Sequence, residues 1–271
     1  MNLFKIIILA CILNLSSLFA QNITIGATPN PFGSLLELMK DDFKNKGYEL
    51  KIVEFSDYIL PNRALEEKEL DANLYQHKPF LEEYNLKKGS NLIATTPVLI
   101  APVGVYSKKI KNLENLKEGA RVAIPNDATN ESRALELLEK AKLIELNKNT
   151  LKTPLDINKN PKKLKFIELK AAQLPRALDD VDIAIINSNF ALGAGLNPSK
   201  DTIFREDKNS PYVNYVVVRS EDKNSPYVNY VVVRSEDKNS EKTKVIDEIL
   251  RSDKFKAIIN EHYKDILIPA F

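Results

Sequence analysis

The sequence predicts an α/β protein made of two lobes. Patterns typical of strands and helices alternate over residues 23–75 and again over residues 121–187, and such alternation indicates a parallel sheet with helices on its faces. Residues 93–106 lie between the two alternations and form a long apolar strand-like segment that two prolines and a glycine interrupt. We interpret this segment as a crossing from one lobe to the other.

The first lobe is predicted to begin with a buried strand at residues 23–27. A proline-rich turn follows, and then a helix capped near Ser34, whose apolar residues recur at helical spacing until Gly47 ends it. A strand at residues 48–55, a helix at 62–68 and a strand at 72–75 complete the pattern. In sheets of this kind ligands bind beyond the carboxyl ends of the strands.

Residues 71–80, DANLYQHKPF, place aromatic, amide and imidazole groups at such a carboxyl end. A small ligand needs an apolar wall and a few fixed hydrogen bonds, so we interpret Tyr75 and His77 as pocket lining. The alternative is that both are half-buried side chains whose polar ends reach water or the backbone.

The second lobe is predicted from strands at residues 121–125, 165–169 and 182–187, with helices at 131–141 and 171–178. The polar connection at residues 146–161 has no predicted structure. Two amphipathic helices, with apolar residues between 245 and 250 and between 255 and 259, close the chain.

The N-terminal 20 residues have the pattern of a secretory signal peptide, with Lys5 before an apolar run and small residues before Gln21. Cys11 is the only cysteine of the chain, so cleavage after Ala20 leaves no thiol. The alternative is a lipoprotein processing site, with Cys11 acylated and the protein tethered to a membrane.

The composition of the 271 residues, 44% apolar and 28% charged with a net charge of +2, indicates a globular protein. Positive and negative residues are interspersed, so no footprint for a nucleic acid or polybasic membrane patch is visible.

Residues 125–133, PNDATNESR, join a strand to a helix predicted to be capped by Thr129 or Asn130. Free backbone N–H groups and the fork of Arg133 suit a carboxylate. The alternative is a capped surface helix whose Arg133 pairs with Glu136 or Glu139. Amides that can bind an amino acid without adding charge follow the strands: Asn187, Asn189 and Asn214.

Motifs for catalysis or cofactors are absent from the sequence. It has no Gly-x-Ser-x-Gly elbow, no Walker loop, no Gly-x-Gly-x-x-Gly and no zinc-type cluster. Asp179, Asp180 and Asp182 lack the spacing of a calcium loop, and we interpret them as solvated charges. We therefore expect no cofactor, no metal and no enzyme, although a hydrolase that uses His77 stays open as an alternative.

Six segments together resemble the methionine-binding lipoproteins of the NlpA/MetQ type. They read DANLYQHKPF, IPNDATNESRAL, LDDVD, INSNFA, AGL and SPYVN, and lie at residues 71–80, 124–135, 178–182, 186–191, 194–196 and 210–214. Three departures are Phe32-Gly33 where relatives often have a histidine after the proline, a weak lipobox, and a duplication without counterpart in the family.

The resemblance implies a two-lobed periplasmic binding fold of type II, each lobe a mixed, mainly parallel sheet flanked by helices. It also implies a monomer that captures L-methionine in the periplasm and delivers it to the permease and ATPase of an ABC importer. A methionine-containing dipeptide, D-methionine or another apolar amino acid is the alternative ligand. The residues that match the family's ligand cleft are Tyr58, Tyr75, His77, Arg133, Asn187 and Asn214.

The resemblance gives domain boundaries at residues 1–20 for the signal, 21–104 and 211–271 for lobe 1, and 105–210 for lobe 2. The last part contains a tandem repeat, since residues 206–220 recur letter for letter as residues 221–235. We expect the first copy to form the returning strand with Asn214 in the cleft, and the second to pair as a hairpin or to bulge out. The alternative is that Asn229 replaces Asn214.

Overall fold

A computed structural model describes residues 21–206 and 227–271. The signal segment with Cys11, and residues 207–226 with Asn214, lie outside the described residues. The described strands are β1 Gln21–Ala27, β2 Tyr48–Glu54, β3 Ala72–His77, β4 Leu92–Ile100, β5 Val103–Tyr106, β6 Arg121–Pro125, β7 Glu145–Leu146, β8 Ile157–Lys159, β9 Lys165–Leu169, β10 Ile183–Asn187, β11 Thr202–Arg205, β12 Val228–Arg234 and β13 Ile268–Pro269. The described α-helices are α1 Ser34–Glu37, α2 Lys40–Asn45, α3 Leu60–Glu66, α4 Lys78–Lys88, α5 Ala128–Lys140, α6 Leu174–Ala177, α7 Ser188–Gly193, α8 Glu241–Leu250 and α9 Asp253–His262.

Two sheets organise the described residues, in the orders β13-β4-β12-β3-β1-β2 and β11-β5-β10-β6-β9. Strand β1 is parallel to β2 and β3, and β6 is parallel to β9 and β10. Strands β12 and β5 pair antiparallel with both of their neighbours. The α/β fold with mixed sheets is therefore confirmed. The parallel pairs join strands of the predicted strand–helix alternation. The antiparallel pairs involve β4, β5 and β12, which lie where the chain passes from one sheet to the other.

The first lobe, built on the six-stranded sheet, has its core where helices cover the strands. Ile23 and Ile25 of β1 are fully buried together with Leu35 of α1 and Phe43 of α2. Burying each such side chain contributes about 1.5–3 kcal/mol. Gly47, at φ 83°, supplies the left-handed turn that ends α2. Helices α8 and α9 cover the same core through Ile246, Ile249, Leu250, Phe255 and Ile259.

The second lobe, built on the five-stranded sheet, has a core of its own. Val122 and Ile124 of β6 lie against Leu135 and Leu138 of α5. Residues 146–161, which had no predicted structure, contain the short antiparallel pair of β7 and β8.

The predicted crossing segment divides into β4 of the first sheet and β5 of the second. Ala101 and Pro102 connect them, and we place the boundary between the lobes there, close to the expected residue 104. The chain returns to the first sheet between Glu206 and Tyr227.

The prediction for the tandem repeat is wrong for the second copy. Strand β12 belongs to that copy, and it pairs along its length with β3 and β4 rather than forming a hairpin or a bulge. The two copies offer the sheet the same side chains, so the strand position itself does not distinguish them. The second copy is followed at once by a turn at Ser235–Asp237 and by Ser240, which caps α8. Use of the second copy keeps the connection from β12 to α8 short.

One helix of the first lobe was not predicted. Helix α4 begins directly after β3, with His77 as the N-cap residue and Pro79 in its first turn, where proline is tolerated. The Lys-Pro pair conceals this start in the sequence. None of the described helices has the length and apolar content needed to cross a membrane.

Candidate ligand-binding site

The predicted site residues meet in a cavity between the two lobes. The cavity has a volume of about 360 Å³, part of which is open to solvent. The cavity is lined by Phe32, Tyr58, Tyr75, Gln76, His77, Phe80, Ala101, Asn130, Arg133, Asn187, Ser188, Asn189 and Asn229.

Aromatic rings form the wall of the first lobe. The Tyr58 ring centroid lies 6.0 Å from those of Tyr75 and Phe80, and Phe80 stands edge-on to both. The Tyr75 hydroxyl donates to the Tyr58 backbone carbonyl at 3.2 Å. Rings in these arrangements attract each other beyond their burial, so the wall is rigid and apolar.

A buried amide network supports this wall from behind. Asn62 and Gln76 exchange hydrogen bonds of 3.0 and 2.6 Å, and Asn73 donates to Asn62 at 2.9 Å. All three side chains are at most 3% exposed. Because their groups bind one another, the network fixes α3 against β3 and holds Tyr58 beside Tyr75.

His77 is a neutral hydrogen-bonding residue of the cavity. Its Nδ1 accepts from the Phe80 backbone N–H at 3.3 Å, which places the ring proton on Nε2, 3.3 Å from Asn130 Oδ1. Burial and the charge of Arg133 lower the pKa of His77 to about 3. The imidazole therefore donates across the cleft at neutral pH and carries no charge.

Amides form most of the wall of the second lobe. Helix α5 is capped by Asp127 and not by Thr129 or Asn130 as predicted, because the Asp127 carboxylate accepts from the Asn130 backbone N–H at 3.0 Å. The Asn130 side chain is thereby left to face the cavity, where its Oδ1 accepts from Asn187 Nδ2 at 2.8 Å. Asn187 Oδ1 is buried and has no partner among the described residues.

Tyr58 joins the two walls. Its hydroxyl donates to Asn189 Oδ1 at 2.5 Å, and its ring lies 4.9 Å from that of Phe190. Burial raises the pKa of the Tyr58 phenol, so the hydroxyl keeps its proton and remains a donor. Together with the contact of His77 and Asn130, this bond holds the lobes in a closed arrangement.

Arg133 lies in the cavity wall, 2% exposed, but its fork already has a partner. Nε and Nη2 donate to the two oxygens of Glu206 at 2.9 and 2.5 Å, and Nη2 also reaches the Ala101 carbonyl at 3.2 Å. Neither Glu136 nor Glu139 pairs with it, as the alternative interpretation supposed. Nη1 makes no hydrogen bond to the described residues and is left for a ligand.

The structure brings together five of the six residues predicted for the site: Tyr58, Tyr75, His77, Arg133 and Asn187. The sixth, Asn214, lies outside the described residues, and Asn229 of the second copy lines the cavity instead. Asn130 and Glu206 were not expected in the site. A helix-cap pattern concealed Asn130, and Glu206, 73 residues from Arg133, gave no local signal.

Metal chemistry finds no support in this part of the chain. Among residues 21–206 and 227–271, no group of three or more histidines, cysteines or carboxylates is placed to hold a metal ion.

The chain is similar to known proteins in sequence and in fold. The sequence profile of the family described as NlpA lipoprotein matches residues 23–226 and 219–271, and the two matches overlap inside the tandem repeat. A relative from Salmonella typhi named D-methionine-binding lipoprotein MetQ is 46% identical over 204 residues, which is 73% of this chain and 75% of the relative.

Two solved structures have the same fold. A nutrient binding protein from Burkholderia cenocepacia, bound to methionine, is 38% identical with a TM-score of 0.83, and the match covers 92% of this chain and 100% of that one. A periplasmic substrate-binding protein of an ABC transporter from Coxiella burnetii is 41% identical with a TM-score of 0.82, over the same shares of the two chains. The chain belongs to the NlpA lipoprotein family.

Proposed function

We propose that this protein captures methionine in the cleft between its lobes and delivers it to an ABC importer, without chemical turnover. The family, the name of the Salmonella typhi relative, the methionine in the Burkholderia cenocepacia structure and the ABC transporter of the Coxiella burnetii protein support this proposal.

The observation that carries the proposal is the buried Oδ1 of Asn187 without a partner in an aromatic-walled cavity. A buried acceptor left unpaired costs about 1–3 kcal/mol. An α-ammonium group can satisfy it, and the same amino acid places its carboxylate toward Nη1 of Arg133. The ligand class is therefore an amino acid with an uncharged side chain.

The aromatic wall favours a thioether over an alkyl chain. A sulfur atom beside ring edges gains about 0.3–1.5 kcal/mol per contact. Tyr58, Tyr75 and Phe80 offer such edges within one cluster. We assign the methionine side chain to this wall.

Hydrolysis has no support from the same residues. His77 uses Nδ1 to accept a backbone N–H and Nε2 to donate to Asn130, so it has no free lone pair for a general base. We therefore infer a binding role for His77.

We further infer that the protein works in the periplasm, with its partners the permease and ATPase of the importer. Mass spectrometry of the purified protein decides how it is held there. A chain that starts at Gln21 is a diffusible carrier, and an acylated Cys11 is a tethered lipoprotein.

Calorimetry on ligand-stripped protein tests the proposed function. We expect micromolar or tighter binding of L-methionine and much weaker binding of glutamate and lysine, whose charges find no partner at the aromatic wall. D-methionine and a methionine-containing dipeptide complete the panel. Equal affinity for methionine, glutamate and lysine, or release of a product on prolonged incubation, contradicts the proposal.

A further inference from the structure

The ion pair of Arg133 and Glu206 links a residue of the cavity wall to one outside the lining. Both donors on one side of the guanidinium meet both carboxylate oxygens, and Glu206 is 17% exposed at its side chain. Although burial alone lowers the pKa of Arg133, Glu206 raises it above its usual value. The guanidinium of Arg133 therefore keeps its positive charge.

The pair also lies beside the connection between β4 and β5. Glu206 Oε2 accepts from the backbone N–H of Val103, and Arg133 donates to the carbonyl of Ala101. The Tyr227 ring, at the start of the returning segment, lies 4.2 Å from the guanidinium carbon. Arg133 is thus held on three sides, and Nη1 is the part directed to the ligand.

Among the described residues, Arg133 is the one charged side chain that lines the cavity, and Glu206 is its ion-pair partner. His77 is neutral, and the amides of Asn130, Asn187 and Asn229 carry no charge. Without Glu206, Arg133 would be an uncompensated buried cation, and such a cation attracts an anion into the site. With Glu206 in place the cavity suits a ligand without net charge.

We propose that Glu206 is a specificity-determining residue, which neutralises Arg133 so that the cavity selects a zwitterionic amino acid over a carboxylate that lacks the ammonium group. This inference rests on the proposed function. It assigns a role to a residue that does not itself line the cavity.

The test compares L-methionine with 4-(methylsulfanyl)butanoate, which has the same skeleton but no ammonium and thus one net negative charge. The quantity measured is the ratio of the two dissociation constants, from calorimetry. In Glu206→Gln the cavity gains a positive charge, so the preference for methionine falls by about tenfold, which is about 1.4 kcal/mol. In Arg133→Gln it gains a negative charge, so the preference rises by a similar factor even though both ligands bind more weakly.

Glu136→Gln is the matched control. Glu136 lies on the same helix and accepts from Tyr227, so this change removes a nearby charge without touching the guanidinium. We expect it to change the ratio by less than about threefold, because a partly exposed charge is screened. Melting temperatures show which variants fold. If Glu206→Gln does not fold, the ratio measured for Arg133→Gln decides the test.

Opposite shifts of the ratio in the two variants support the inference. Equal weakening of both ligands, with an unchanged ratio, means that Glu206 only maintains structure, and overturns it. If the wild-type protein does not bind methionine at all, the proposed function fails, and this result is distinct from an unchanged ratio.

Discussion

The two walls of the cleft differ in chemistry. In the first lobe, the rings of Tyr58, Tyr75 and Phe80 form an apolar surface that an amide network supports from behind. In the second lobe, Asn130, Asn187 and Arg133 form a polar surface with a buried acceptor.

In the proposed complex, each lobe recognises a different part of one ligand. Neither wall alone encloses an amino acid, because the aromatic one offers little for the charged groups and the polar one offers little for the side chain. Binding therefore requires both lobes, and a ligand that contacts both stabilises the closed cleft. Four sets of substitutions probe the two walls and the residues that support them, in order of decreasing expected effect.

Arg133→Lys removes the guanidinium group from the polar wall. Lysine cannot reproduce the fork to Glu206 and the contact with Ala101 together, so we expect methionine binding to weaken by about 1.5–3 kcal/mol in calorimetry. Arg176→Lys, at an exposed position on α6, is the control and should change binding by under about 0.5 kcal/mol. Equal effects of the two substitutions would contradict a role of Arg133 in binding the ligand.

Glu131→Gln tests the support of the polar wall, because Glu131 lies in the helix turn that carries Asn130. Burial, with the nearby acids Glu168, Asp127 and Asp156, raises the pKa of Glu131 to about 7. Its protonated form stabilises the fold below about pH 4.5, and this contribution is lost as the pH rises through 7. Glutamine mimics the protonated form. We expect the variant to be about 1–3 kcal/mol more stable than wild type at pH 8 in urea unfolding, and the gain to vanish near pH 4.5.

The control for this measurement is Glu69→Gln, which changes an exposed carboxylate of the first lobe. At this exposed position the substitution should change the free energy of unfolding by less than about 0.5 kcal/mol. A constant gain in Glu131→Gln from pH 4.5 to 8 would show that Glu131 is ionised throughout this range.

Asn229→Ala and Asn214→Ala identify the copy of the repeat that serves the cleft. Asn229 is 5% exposed and lines the cavity. Its loss should weaken methionine binding by about 1 kcal/mol, whereas Asn214→Ala should leave the affinity within about 0.5 kcal/mol. A loss in the Asn214 variant alone would reverse this assignment. Deleting either copy gives the same sequence, so only point substitutions distinguish them.

Tyr58→Leu breaks the aromatic wall. The substitution removes a ring edge, so the discrimination between methionine and norleucine should fall by about 0.3–1.5 kcal/mol. Tyr58→Phe is the control, since it loses only the bond to Asn189 and keeps the ring. It should weaken both ligands alike. A loss of discrimination in Tyr58→Phe but not in Tyr58→Leu would contradict the role of the ring.

The parts of the fold that could be predicted are those that local sequence patterns determine. Strands β6 and β9 begin and end at the predicted residues, because turn residues bound runs of apolar side chains. Tyr75 and His77 lie at the carboxyl end of β3, where the alternation of strands and helices predicts ligands to bind.

The features that could not be predicted depend on contacts between residues that are distant in the sequence. Glu206 is paired with Arg133 only because β11 ends beside α5, and no spacing in the sequence expresses this. The place of β12 could not be chosen from sequence either, because both copies carry identical local information. The copy that pairs with β3 and β4 is set by the connections that join the strand to its neighbours, such as the short one from β12 to α8.

A crystal structure of the methionine complex tests the central claim most directly. The division between the walls predicts the sulfur about 5 Å from the rings of Tyr58 and Tyr75, and the ammonium nitrogen about 3 Å from Asn187 Oδ1. It also places the carboxylate at Nη1 of Arg133, with Glu206 still on the other side. A sulfur among the amides of the second lobe, with the charged groups against the aromatic rings, would contradict it.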